Sequence, residues 1–116
     1  MNTFTTKLGT TKGLERGRIW IEGARLVAAG FTVGTLYMLI RDDDARIWSL
    51  ETISPEDVGN TRPRKVSGKG EKPIIDITGK DVAFVFGSTV THVDVTYWQG
   101  RITLRESNTA THHRAA

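Results

Sequence analysis

The sequence predicts a mainly β domain built from two copies of one short plan, and three observations predict it. The first is the spacing Ile19-x-Ile21-x-Gly23, which returns as Ile75-x-Ile77-x-Gly79. The second is the short apolar segment after each copy, closed by Gly30 in one and Gly87 in the other. Segments this brief do not hold a helix alone. The third is the pair of strand-like runs that ends each copy, 35–40 with 45–51 and then 91–98 with 101–105. Apolar residues at alternate positions have the period of a half-buried strand, and a recurring plan outranks local propensity when a fold is read. Each copy buries too little surface for a core of its own, so each is expected to need the other.

Size and composition bound the rest. The chain has 116 residues, 38% of them hydrophobic, which suits one compact domain. A single domain over 1–108 is expected, made of repeats at about 15–52 and 71–107 with a connector at 53–70. Residues 109–116 lack apolar anchors and are expected to form a disordered tail. No apolar run approaches the roughly 20 residues of a membrane helix, and the N-terminus lacks the apolar stretch of a secretory signal. With no cysteine, disulfides, thiolate metal sites and Cys nucleophiles are excluded, and the cytoplasm is the expected location.

Taken in order, residues 1–14 read as a loosely ordered arm able to pair one strand. The strand Ile19–Ile21 follows, then a helical turn in which Leu26 and Ala29 share a face, and Gly30 as a left-handed helix stop. Leu36-Tyr37-Met38-Leu39-Ile40 has almost no polar face, as in a strand buried on both sides. Asp42-Asp43-Asp44 supplies a hairpin turn, and Ile47-Trp48-Ser49-Leu50 returns. Ser54-Pro55-Glu56-Asp57 carries a Ser cap and a Pro at the first helical position. Residues 60–70 are rich in Pro, Gly, Arg and Lys and are expected to be mobile. In the second copy Val93, Val95 and Tyr97 alternate with polar residues, Gln99-Gly100 reverses the chain, and Ile102 and Leu104 complete the hairpin.

The formal net charge is +3, and its distribution matters more than its size. Lys7, Lys12, Arg16, Arg18 and Arg25 cluster around the start of the first copy, and Arg62, Arg64, Lys65, Lys69 and Lys72 precede the second. Acids gather elsewhere, chiefly at Asp42-Asp43-Asp44. Paired basic clusters focus a positive field that attracts an anionic polymer.

Gly17-Arg18-Ile19-Trp20-Ile21, followed by Arg25-Leu26 and by Ala28-Ala29-Gly30-Phe31 with Gly34, resembles the AbrB-like swapped-hairpin superfamily, and within it SymE-like proteins. The match covers 17–51; residues 73–106 follow the plan with Pro73-Ile74 in place of Gly-Arg. The resemblance implies a tandem swapped-hairpin β-barrel with very short helices and two pseudo-symmetric repeats, either a monomer with an internal pseudo-dimer or a homodimer. It implies DNA contacts through Arg18 and Arg25, with Lys12 and Arg16 nearby. In the second copy only Lys72 and Lys80 stand close to the equivalent places.

Nucleic-acid binding through Lys12, Arg16, Arg18, Arg25, Arg64, Lys65, Lys69, Lys72 and Lys80 is the function expected, with DNA ahead of RNA. The role is that of a small transcriptional regulator or nucleoid-type factor. Such side chains hold phosphates by charge and counterion release and read little sequence. Trp20, Trp48 and Trp98 are either core residues or stacking platforms for bases. No catalytic set, phosphate loop, metal-ligand spacing or cofactor motif is apparent: His112-His113 lack a third ligand, and the Asp triplet lacks a calcium loop. The chain is therefore read as a non-enzyme without cofactor. Two other readings stay open: a phage-like inhibitor or adaptor that binds a nucleic-acid-processing protein, and a SymE-like toxin of a toxin–antitoxin pair.

Overall fold

The computed structural model describes residues 2–107, so the expected tail at 109–116 and its two histidines lie outside the described residues. The strands are β1 (Asn2–Lys7), β2 (Gly9–Thr11), β3 (Leu14–Glu22), β4 (Leu36–Asp42), β5 (Ile47–Thr52), β6 (Arg64–Lys65), β7 (Ser67–Lys69), β8 (Lys72–Thr78), β9 (His92–Trp98) and β10 (Arg101–Glu106). Two short helices interrupt them, α1 (Ala24–Ala28) and α2 (Lys80–Val82), and α2 runs on into a π-helical turn over Ala83–Gly87. The strands form two antiparallel sheets rather than the closed barrel expected. One has the order β1-β9-β10-β5-β4-β6 and the other β2-β3-β8-β7. Among the described residues no helix is long and apolar enough to cross a membrane.

The two Ile-x-Ile strands meet at the centre of the smaller sheet. Ile19 faces Ile77, Ile21 faces Ile75, and Trp20 faces Asp76. All four isoleucines are buried, whereas Trp20, Glu22, Asp76 and Thr78 point outward. Burying each such side chain stabilises by about 1.5–3 kcal/mol. The hairpins meet in a similar way in the larger sheet, where Trp48 faces Leu104 and Leu50 faces Ile102.

Contacts between the two halves are reciprocal. The end of α1 abuts the second hairpin, where the Gly100 N–H donates to the Ala29 carbonyl at 2.8 Å. The α2 segment abuts the first hairpin: Phe86 stands edge-on to Trp48 at 5.1 Å between ring centroids, and Arg41 bonds Asp81 at 2.7 Å. The edge strands follow the same rule. β1 pairs with β9, while β6 pairs with β4. The Leu8 N–H reaches the Thr91 carbonyl at 2.8 Å, just as the Val66 N–H reaches the Thr35 carbonyl at 2.9 Å.

The helix ends differ. At α1 the Gly30 N–H bonds the Val27 carbonyl, the Phe31 N–H bonds the Leu26 carbonyl, and Gly30 takes φ 90°. This is a Schellman ending, with Leu26 and Phe31 both fully buried beside it. Gly87, read as the matching stop, is not left-handed. It lies where the chain crosses β3, and a Cβ there would stand 2.7 Å from the Arg16 carbonyl oxygen. The glycine serves close approach, and the π turn ends without a left-handed residue, Ser88 after it having φ −69°.

Three expected loops or strands are also revised. The N-terminal arm is ordered, because β1 pairs with β9 from His92 to Tyr97 and β2 pairs with β3. The basic connector is structured at 64–69, with Val66 fully buried between β6 and β7. β4 is covered on one face only: Tyr37 is buried and Ile40 is 49% exposed. The Asp triplet does form the hairpin turn. The Asp42 carboxylate accepts the Ala45 N–H at 3.0 Å, and Asp43 accepts the Trp48 indole N–H at 2.8 Å. The guanidinium of Arg41 and that indole hold the Asp43 carboxyl below its ordinary pKa. The turn at Pro55–Asp57 forms as a 3₁₀ turn without a side-chain cap from Ser54.

Candidate nucleic-acid interface

The residues singled out by the Gly-Arg motif do not come together. Arg18 lies on the outer face of the smaller sheet and makes two parallel hydrogen bonds to the Asp76 carboxylate, both 2.9 Å. Its guanidinium also sits 4.5 Å from the Trp20 ring centroid. The charge of Arg18 is thus shared with an acid on the neighbouring strand. Arg25 projects from α1 to a different place, with its guanidinium 3.5 Å from the Phe4 ring centroid. It also lies close enough to Tyr97 to oppose the upward shift that burial gives that phenol's pKa. Arg16 is half-buried at φ 57°, its backbone against Gly87. Lys12 is exposed in the β2–β3 turn.

The connector cations, by contrast, fall along one edge. β6 closes the larger sheet at the β4 side, β7 closes the smaller sheet at the β8 side, and only Val66 separates them in the chain. Arg62, Arg64, Lys65, Lys69 and Lys72 are all exposed along this strap, with Glu71 as its one acid. Val66 anchors it: its N–H donates to Thr35, and its carbonyl accepts the Gly34 N–H at 2.9 Å. Lys69 faces Lys72 across the narrow β7–β8 hairpin. Arg64 lies beside the Tyr37 hydroxyl, whose pKa burial raises and that guanidinium lowers. Among the described residues, the ion pairs of arginine use Arg18, Arg41 and Arg46, and none involves the strap.

Lys80 is exposed at the start of α2, beyond the far end of β8 from Lys72. The seven residues of β8 span about 20 Å. Because β3 runs antiparallel to β8, Lys12 belongs to the same end as Lys80. Cations therefore mark both ends of the smaller sheet, the denser group being the strap, while the centre is occupied by the Arg18–Asp76 pair.

Trp48 is a core residue, 1% exposed, whereas Trp20 and Trp98 remain 38% and 37% exposed. The motif-based reading did not find the surroundings of Arg25 or the role of Arg101, whose guanidinium stands 5.0 Å from the Trp98 ring centroid. The contact of Arg25 joins α1 to β1, 21 positions apart, and no local pattern marks it, whereas Arg101 and Trp98 face each other across the β9–β10 hairpin. The nearest signal is the Thr- and Phe-rich composition of residues 3–6, which favours sheet.

The fold and this edge define a mainly β, two-sheet protein with a row of cations along one border that, among the described residues, form no ion pairs. Among known proteins, no family model, curated protein or solved structure matches the chain.

Proposed function

We propose that the chain is a tandem swapped-hairpin protein of the AbrB-like and SymE-like kind, one cytoplasmic domain of two repeats, that binds duplex DNA through its phosphates. Its role is that of a small regulator or nucleoid-type factor. The reciprocal pairing of the two halves supports the swapped-hairpin part. The observation that carries the binding part is the strap, where Arg62, Lys65, Lys69 and Lys72 stand exposed and, among the described residues, without ion pairs. Arg18, already held by Asp76, contributes little, and the strap replaces it as the main contact. Phosphate contacts of this kind release counterions and make affinity fall steeply with salt.

The triple variant Lys65→Glu, Lys69→Glu, Lys72→Glu tests this directly. In a salt-titrated duplex-binding assay its affinity is expected to drop at least about tenfold near 100 mM salt. The dependence of log affinity on log salt should flatten by about 0.9 for each phosphate that is no longer neutralised. Arg18→Gln is expected to stay close to wild type. Unchanged binding in the triple variant, or loss in Arg18→Gln alone, would overturn the strap as the site.

One observation favours the second reading, a docking module for a nucleic-acid-processing protein. Phe84, on the π turn beside the acidic hairpin, is 76% exposed. A buried aromatic anchor is a common hot spot in protein interfaces. Absence of DNA affinity, together with a stoichiometric protein partner lost in Phe84→Ser, would establish that reading; a partner retained by Phe84→Ser would remove it.

A further inference from the structure

An open pocket of about 350 Å³ lies where α1, β1 and the β9–β10 turn meet. Phe4, Arg25, Tyr97, Trp98 and Gln99 line it, with Ala29 behind them. With Asn2 at the rim, the lining carries three aromatic rings, one cation and two neutral amides, and no carboxylate. Its parts are held in place. Phe4 packs edge-on against Tyr97 at 6.0 Å and beneath Arg25, and Arg101 lies against Trp98. The backbone bond from Gly100 to Ala29 fixes the turn to the helix. Phe4 and Trp98 nonetheless keep 37% of their surface exposed.

The geometry points to a pocket for one unpaired nucleotide of a single-stranded nucleic acid. The base stacks on the exposed ring of Trp98 or Phe4, the phosphate meets the Arg25 guanidinium, and the Gln99 amide donates to and accepts from the base edge. Every base offers a π face, so stacking of this kind tolerates sequence. The guanidinium fork suits phosphate, and an amide is both donor and acceptor. Rings already oriented by an arginine lose little freedom when a base arrives. The cavity falls within the roughly 300–1,000 Å³ of small-molecule sites. An acidic peptide would satisfy Arg25 and leave the rings without a stacking partner, and an aliphatic ligand would leave Arg25 unmatched. A paired base inside a duplex cannot enter without being flipped out.

This inference rests on the reading of the chain as a nucleic-acid binder, but it uses none of the strap's side chains. The test uses the full chain, a labelled oligo-dT strand, a labelled duplex and thymidine monophosphate. Trp98→Leu keeps apolar bulk and removes the π face; it is expected to weaken oligo-dT binding about tenfold and leave duplex binding unchanged. Arg25→Gln should weaken oligo-dT binding as well. Thymidine monophosphate should quench tryptophan fluorescence in the wild type and in the strap triple variant, but not in Trp98→Leu. If Trp98→Leu does not fold, Gln99→Ala and Arg25→Gln together carry the test by the same loss of quenching. Oligo-dT affinity unchanged in these variants, or an acidic peptide that displaces the nucleotide equally well, would overturn the pocket. Loss of duplex binding in the strap variant with quenching intact supports both sites. Duplex binding that survives in the strap variant while Trp98→Leu loses oligo-dT binding removes the strap and leaves the pocket standing.

Discussion

Phe86→Ala is expected to destabilise the protein by about 3–5 kcal/mol and to do so in a single transition. Phe86 is fully buried, and its ring meets Trp48 edge-on at 5.1 Å. That contact joins the π turn of one half to the hairpin of the other. Truncation therefore removes transfer energy, leaves a cavity, and loosens a junction between halves. A domain of this size has only about 5–15 kcal/mol in total, so a substantial share disappears at one site. Urea unfolding followed by tryptophan fluorescence and by far-UV circular dichroism checks it: the two signals should move together to a lower midpoint with unchanged slope. Phe84→Ala, two residues earlier on a 76% exposed side chain, should stay within about 0.5 kcal/mol. Two separate transitions, or a loss at Phe86 below about 1 kcal/mol, would contradict the interlocked core.

Gly68→Ala is the second large effect. Gly68 has φ 105°, and a Cβ there would fall inside the envelope of the Lys72 carbonyl oxygen across the hairpin. Backbone atoms cannot swing aside as a side chain can. Strain of roughly 1–3 kcal/mol adds to the clash, so a loss of at least about 3 kcal/mol is expected, with the β7–β8 hairpin opening first. The opening should appear as early amide exchange at Ser67 and Lys69. Because the hairpin carries Lys69 and Lys72, duplex affinity should fall as well, even where the rest of the chain is folded. Lys69→Ala, in the same strand, removes charge without strain and should leave the urea midpoint within about 0.5 kcal/mol. A stable Gly68→Ala variant with native exchange would show that the hairpin does not need this backbone conformation.

How much of this was legible in the sequence depended on the range of the signal. The alternation of Ile19 with Ile21 and of Ile75 with Ile77 is local, and it placed both central strands and their buried faces. Gly30 could be read as a helix stop because a Schellman ending is written within six residues. Gly87 could not, because its reason is the backbone of Arg16 lying across it, far away in the chain. The Pro-, Gly- and Lys-rich composition of the connector suggested mobility, yet buried Val66 pins it between two sheets. One apolar residue among cations gives almost no periodic signal. A local motif singles out Arg18, and what decides its role is Asp76, which only strand pairing brings alongside. The second face of β4 is open because no layer covers Ile40, and a continuous apolar run does not distinguish a strand covered on both faces from one covered on a single face.

The pairing of β1 with β9 has a consequence for how the polypeptide is made. Thr3 and Thr96 bond each other across 93 positions, and the Arg18–Asp76 bridge spans 58. β1 is synthesised well before β9 and must wait for it, and until then its edge stays unsatisfied. Folding with such distant partners is slow and close to all-or-none. Nascent chains that stall before β9 emerges present bare strand borders, the kind of surface on which chaperones and proteases act.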